Sequence, residues 1–101
     1  MAKLTALNRT VLEPETRKIT VDLAVRFFAL YRERAGTNTH RLQLPEGATV
    51  ADLTDEVRRI FPRLAPPDVQ IVVAVNAEYA EPEVILHNGD DVCLIPPVSG
   101  G

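Results

Sequence analysis

The sequence predicts an α+β domain, a mixed sheet with one main helix packed on one face, and three observations carry that reading. Ile19, Val21, Leu23, Val25, Phe27 and Ala29 alternate with Thr20, Asp22, Ala24, Arg26, Phe28 and Leu30, the two-residue period of a strand with one face in a core. Val50, Leu53, Val57 and then Ile60 or Phe61 recur at helical spacing, which makes one apolar stripe. Gln70–Asn76 is apolar on both faces, as an inner strand with two covered faces is. A chain of 101 residues, 46% hydrophobic and 25% charged, suits a single domain with one compact core.

The elements follow in order. In residues 1–18, Lys3, Arg9, Arg17 and Lys18 outnumber Glu13 and Glu15, and Pro14 interrupts any regular element. A loose arm is expected there, with a short added strand around Thr10–Leu12 as the alternative. The domain proper is expected over residues 19–95 and an extended tail over 96–101. Along the first strand the second face begins polar and ends apolar, so Phe28 and Leu30 either form a surface patch suited to a partner or pack under a neighbouring loop. Tyr31–Ala35 can make a helical turn closed by Gly36, where a left-handed cap costs little. Thr39–Leu44 alternates as a second strand, and Pro45-Glu46-Gly47 is turn chemistry.

Thr49 opens the clearest helix, since its hydroxyl can cap a free amide while Asp52, Asp55 and Glu56 suit the positive end of the helix dipole. Arg58 and Arg59 suit the opposite end, and Pro62 stops the helix. Residues 63–68, with Pro66-Pro67, form a loop. After the strand at Gln70–Asn76, residues 77–86 are irregular, with a short strand expected at Glu83–Leu86. Asn88-Gly89-Asp90 is a turn and Asp91–Ile95 the last strand. A hairpin, a helix across one sheet face and a return to the sheet suggest a β-grasp fold, with the first and last strands parallel and adjacent at the centre.

Chemistry is scarce within this domain. The net charge of −3 argues against nucleic acid, whose phosphates need a basic face. The single cysteine, Cys93, has no disulfide mate and no activating base in sight. No apolar run approaches the length of a membrane span and no signal-peptide core is evident, so a cytoplasmic location is expected. His40 and His87 stand alone, no metal-ligand set is spaced for binding, and no glycine-rich phosphate loop occurs. An independent enzyme is therefore not expected.

The tail is different. Pro96 and Pro97 fix φ and hold Ile95 extended, while Gly100 and Gly101 bring no side chains, so a narrow channel can admit the backbone closely. Six extended residues reach roughly 20 Å. Such an arm can deliver a terminal carboxylate into another protein's active site, although many chain ends are simply disordered and rich in Gly or Ser. A carboxylate is an anion and a poor electrophile. Adenylation by ATP would activate it, and the cationic or metal groups needed for that step must come from a partner.

Val25-Arg26-Phe27-Phe28-Ala29-Leu30, Arg34-Ala35-Gly36-Thr37, Val73-Ala74-Val75-Asn76, Asn88-Gly89-Asp90-Asp91-Val92 and Pro96-Pro97-Val98-Ser99-Gly100-Gly101 together resemble the small, sulfur-carrying subunits of molybdopterin synthase. The likeness runs from about Val21 to Gly101. It implies a ubiquitin-like β-grasp protein whose Gly101 is adenylated by an adenylyltransferase related to ubiquitin-activating enzymes and then becomes a thiocarboxylate. The sulfur donor is left open. It implies that Gly100 threads the active-site channel of the large synthase subunit, that Pro96, Pro97, Val98 and Ser99 occupy its groove, and that Phe28 and Ile95 join the apolar contact surface. A heterotetramer of two carriers and two large subunits is implied, with cyclic pyranopterin monophosphate receiving the sulfur. No cofactor is expected on the chain itself; ATP belongs to the activating enzyme. The residue 1–18 arm is extra to the usual compact member, and Cys93-Leu94-Ile95 stands where the family often places aromatics. Two alternatives share the fold and the Gly-Gly end: a carrier for thiamine, cysteine or tRNA thiolation, and a modifier joined through Gly101 to lysines. A plain interaction module is a third class, for which Gly101 would be dispensable.

Overall fold

Strict alternation at the start of the domain produces β1, Thr20–Phe27, whose Val21, Leu23, Val25 and Phe27 point into the core. The computed structural model describes residues 19–97; the expectations for the arm at residues 1–18, including a strand at Thr10–Leu12, and for Val98, Ser99, Gly100 and Gly101 lie outside the described residues. Two members of the alternating set leave it. Ile19 is 64% exposed, because it precedes β1 at the point where the chain meets the next turn, its carbonyl accepting the Glu46 N–H at 3.0 Å. Ala29 sits at φ 52°, where the backbone swings from strand to helix.

That swing starts α1, Leu30–Ala35, which Gly36 ends at φ 77°, its N–H donating to the Arg32 carbonyl at 3.0 Å. This is the left-handed cap that glycine makes cheap. β2, Thr39–Pro45, returns antiparallel to β1 with Leu23 opposite Leu42 and Val21 opposite Leu44. After the turn, Thr49 builds a capping box: the Asp52 N–H donates to the Thr49 hydroxyl at 3.3 Å and the Thr49 N–H to the Asp52 carboxylate at 2.9 Å. Two otherwise orphaned amides are thereby satisfied. The helix it opens, α2, is Val50–Ile60, and Val50, Leu53 and Val57 on one face are buried.

Arg58 does more than face the helix terminus. Its guanidinium donates to the carbonyls of Ala65 at 3.3 Å, Pro66 at 3.0 Å and Val69, tying the irregular segment between helix and sheet to α2. Leu64, fully buried, pins the same segment from below. β3, Val72–Val75, and β4, Glu78–Tyr79, follow as an antiparallel pair turning through Asn76 and Ala77, both at positive φ.

The short strand expected at Glu83–Leu86 is not there; the short strand of this region is β4. The backbone of residues 82–86 crosses the start of α2 instead. The Val50 and Ala51 N–H groups donate to the Val84 and Pro82 carbonyls, both at 2.9 Å, and Ile85 makes one isolated bridge with Thr49. The first amides of a helix lack intrahelical acceptors, and this segment supplies them. Leu86 anchors it in the core.

β5, Asp91–Ile95, closes the sheet in the order β2-β1-β5-β3-β4. It is parallel to β1, with Val25 opposite Val92 and Phe27 opposite Leu94, and antiparallel to β3. The parallel pair of first and last strands therefore lies at the centre, as the element order implied. The turn before β5 is locked to β1: the Asp22 N–H donates to Asn88 Oδ1 at 2.7 Å, and the Gly89 N–H, with Gly89 at φ 87°, to the Asp22 carbonyl at 2.8 Å. One mixed sheet with α2 across one face is a ubiquitin-like β-grasp fold.

Candidate functional site

β5 delivers the chain from the middle of the sheet straight into the tail. Its side chains alternate, Val92 and Leu94 entering the core while Asp91, Cys93 and Ile95 face away from α2 and are half-buried. The last β1–β5 pair is Phe27 with Leu94, and the Phe28 N–H donates to the Leu94 carbonyl at 3.3 Å. Phe28 and Ile95 therefore follow side by side on the outer face. Val72 stands opposite Ile95 across the β3–β5 ladder, and the three form an apolar patch that ends where Pro96 begins. Phe28, 44% exposed, is its most accessible member. Of the two readings for Phe28, the exposed surface patch is the one the structure shows. Leu30, 43% exposed, belongs to a neighbouring feature.

That feature is a cavity of about 230 Å³ at the tail root, lined by Leu30 and Tyr31 of α1, Ala65 and Val69 of the segment after α2, and Pro96 and Pro97. Pro96 is half-buried and Pro97 exposed, so the chain leaves the domain between the cavity and the apolar patch. Arg34 fixes one wall by donating to the Leu64 carbonyl at 3.0 Å. Tyr31 is 1% exposed and its hydroxyl has no hydrogen-bond partner among the described residues. Burial pushes its phenol above the ordinary value of 10.0, against the opposing pull of Arg58 and Arg34.

Charge on the outer face is light. Arg26 and Asp91 pair at 3.1 Å with both side chains well exposed, a contact of small energetic weight. Cys93 sits beside Arg26 and Ala74 in the two ladders. Burial, then the Asp91 carboxylate, raises its thiol above the ordinary 9.0. It stays a neutral thiol at physiological pH and a weak nucleophile, so the outer face offers packing and no reactive sulfur of its own. His40 packs edge-on against Phe61 at 5.2 Å, and Phe61 against Phe27 at 5.1 Å. Among the described residues no three His, Cys, Asp or Glu side chains converge as metal ligands, and no helix is long and apolar enough to cross a membrane.

The structure thus brings together Phe28, Ile95, Pro96 and Pro97 of the site expected from the sequence. Val98, Ser99, Gly100 and Gly101 lie outside the described residues. Sequence reasoning missed Val72, whose only signal was membership of a run apolar on both faces. It also missed Tyr31 and the cavity, which need α1 and the segment after α2 to meet.

The ThiS family matches this chain over residues 25–101. The molybdopterin synthase sulfur carrier subunit of Chlamydomonas reinhardtii is 37% identical over 83 residues, covering 80% of this chain and 100% of that protein. The protein of the same name from Arabidopsis thaliana is 35% identical over 82 residues, covering 81% and 85%. Among solved structures, the small archaeal modifier protein 1 of Haloferax volcanii superposes with a TM-score of 0.70 at 30% identity, covering 77% of this chain and 99% of that one. The β-grasp fold is thus shared in sequence and in shape, and the chain belongs to the ThiS family of ubiquitin-like sulfur carriers, with the molybdopterin synthase sulfur carrier subunits as its relatives.

Proposed function

We propose that this chain is the sulfur carrier subunit of a molybdopterin synthase. The observation that carries the reading is the similarity to proteins of that name along nearly their whole length, on a chain whose last strand runs into Pro96-Pro97-Val98-Ser99-Gly100-Gly101. In this reading the Gly101 carboxylate attacks the α-phosphorus of ATP in an activating adenylyltransferase and pyrophosphate leaves. A sulfur nucleophile then displaces AMP, and the resulting thiocarboxylate gives its sulfur to cyclic pyranopterin monophosphate in the large subunit. The carrier supplies reach and docking; Phe28 and Ile95 meet the large subunit while Gly100 passes its channel. A cytoplasmic setting, where ATP and reduced sulfur are at hand, fits this role.

Intact mass of the full chain, after co-expression with its activating enzyme, tests the reading. Replacement of one oxygen by sulfur, mapped to Gly101, and transfer of that sulfur to the pterin by the reconstituted synthase are the expected results. Thiocarboxylate that forms but passes only to thiamine, cysteine or tRNA products would move the chain to another carrier pathway. The likeness to a small archaeal modifier protein favours a second reading, conjugation; Gly101 found in isopeptide linkage to lysine would establish it.

A further inference from the structure

In the reading above, on which this inference rests, Gly101 becomes an acyl donor, and the nucleophiles nearest to it are those of its own chain. Amines and thiolates are the side-chain groups that take an acyl group most readily near neutral pH. Lys3 and Lys18 are the only lysines of the sequence, and residues 19–101 carry seven arginines and no lysine. A guanidinium stays protonated in proteins and has no free electron pair to attack with. Either cation would supply the charge at an exposed position such as Arg32; towards an activated carbonyl the two behave oppositely.

The structure sets several of these arginines around the tail root. Residues 98–101 span about 14 Å beyond Pro97 at full extension. Arg34 lines the cavity that Pro96 and Pro97 also line, and Arg32 is exposed on the same helix, α1. Arg58 holds the Ala65 and Pro66 carbonyls of the cavity wall. Arg26, its side chain 55% exposed, flanks Cys93 across the β1–β5 ladder. Cys93 lies four residues before Pro97, within the same reach. Half burial and the Asp91 carboxylate keep its thiol protonated, and a thiol is a far poorer nucleophile than a thiolate. The arm's two lysines join the domain at Ile19, eight residues before Phe27, roughly 26 Å along β1. β5 runs parallel to β1, so the tail leaves from the opposite end of that length.

We propose that Arg26, Arg32, Arg34 and Arg58, with the half-buried Cys93, insulate the activated terminus from its own domain and so keep its acyl group for an external nucleophile. These residues decide which acceptor is used, and take no part in forming the acyl group. A lysine amine in place of one of them attacks the Gly101 carbonyl carbon. The bond to the leaving group breaks, AMP or a thiolate departs with the electron pair, the amine gives up a proton, and a dead-end amide closes the chain on itself.

The full-length chain carrying Lys3→Arg and Lys18→Arg, released from an intein as its Gly101 thioester, tests this without any activating enzyme. Its outcome is therefore separate from that of the carrier reading. Held dilute at mildly alkaline pH, this chain should lose its thioester by hydrolysis alone, with no residue of 19–97 joined to Gly101 in peptide mapping. Arg34→Lys added to it should lose the thioester at least about tenfold faster, as an intramolecular reaction does. Its product should be a monomer lighter than the hydrolysed chain by one water, with the new amine joined to Gly101. Arg32→Lys, at an exposed position, should give the same product and covers the case in which Arg34→Lys disturbs the fold. Hydrolysis alone in both lysine variants would overturn the proposal, since the guanidiniums would then be withholding nothing. Gly101 joined to Cys93 as an internal thioester in the lysine-free chain would also overturn it.

Discussion

Tyr31 buries its ring beside the tail root, yet its hydroxyl meets no partner among the described residues. A buried hydroxyl without a hydrogen bond loses its hydration for nothing. Tyr31→Phe should therefore leave the unfolding free energy unchanged or raise it by up to about 1 kcal/mol, as read from urea melts; a loss of more than about 1 kcal/mol would show that the hydroxyl is satisfied in solution. Nothing in Tyr31-Arg32-Glu33-Arg34 marks this tyrosine as core, because its environment is assembled from residues 64–69 and the tail root. Thr49 is the opposite case. Every atom of its capping box lies within four residues, so Thr49 and Asp52 were legible from spacing alone. Arg58 falls between: its place near the helix terminus was readable, while its three carbonyl partners required the following segment to fold back over α2.

The elements show where periodicity suffices and where competition decides. β1 and α2 are long and strongly patterned, and both formed within the patterned stretches, β1 losing Ile19 and Ala29 at its ends. Glu83–Leu86 has strand-forming side chains, but the carbonyls of Val84 and of Pro82 just before it accept the first amides of α2, which have no other acceptor in the helix. Two nearby carbonyl acceptors outweighed a weak local preference. On the sheet, placement of Phe28 beside Ile95 depends on β1 and β5, which are far apart in sequence. If this patch docks the large subunit, Phe28→Asp should weaken that complex at least tenfold, a loss of about 1.4 kcal/mol or more typical of a buried anchor. Its melting temperature should stay near that of the parent, since Phe28 is 44% exposed in the isolated domain. Titration calorimetry together with a thermal melt separates the two effects; a large drop in melting temperature would make Phe28 a folding residue instead.

At the scale of the molecule, the sulfur chemistry proposed above belongs to the tail and stability to the domain. The described core draws on every element except β4, with Leu23, Val25, Leu53, Val57, Val92 and Leu94 all at 1% exposure or less. Removal of Gly101 takes nothing from that core. The deletion should abolish sulfur transfer to the pterin while leaving the melting temperature within about a degree of the parent. A large thermal loss would make the tail structural, and unimpaired transfer would remove Gly101 from the chemistry.

By itself the sequence determined the local events: the strand and helix periods, the Thr49 cap, the Gly36 stop, the Asn88–Asp90 turn and the order of elements that implies a β-grasp. These depend on atoms a few residues apart, so residue type and spacing carry the information. Only the tertiary structure decided that Phe28, Val72 and Ile95 share one patch, and that Tyr31 and Pro96 line one cavity. Each of these joins residues dozens of positions apart, and such neighbours are chosen by strand register and by the competition among buried peptide groups for partners, neither of which a local pattern records.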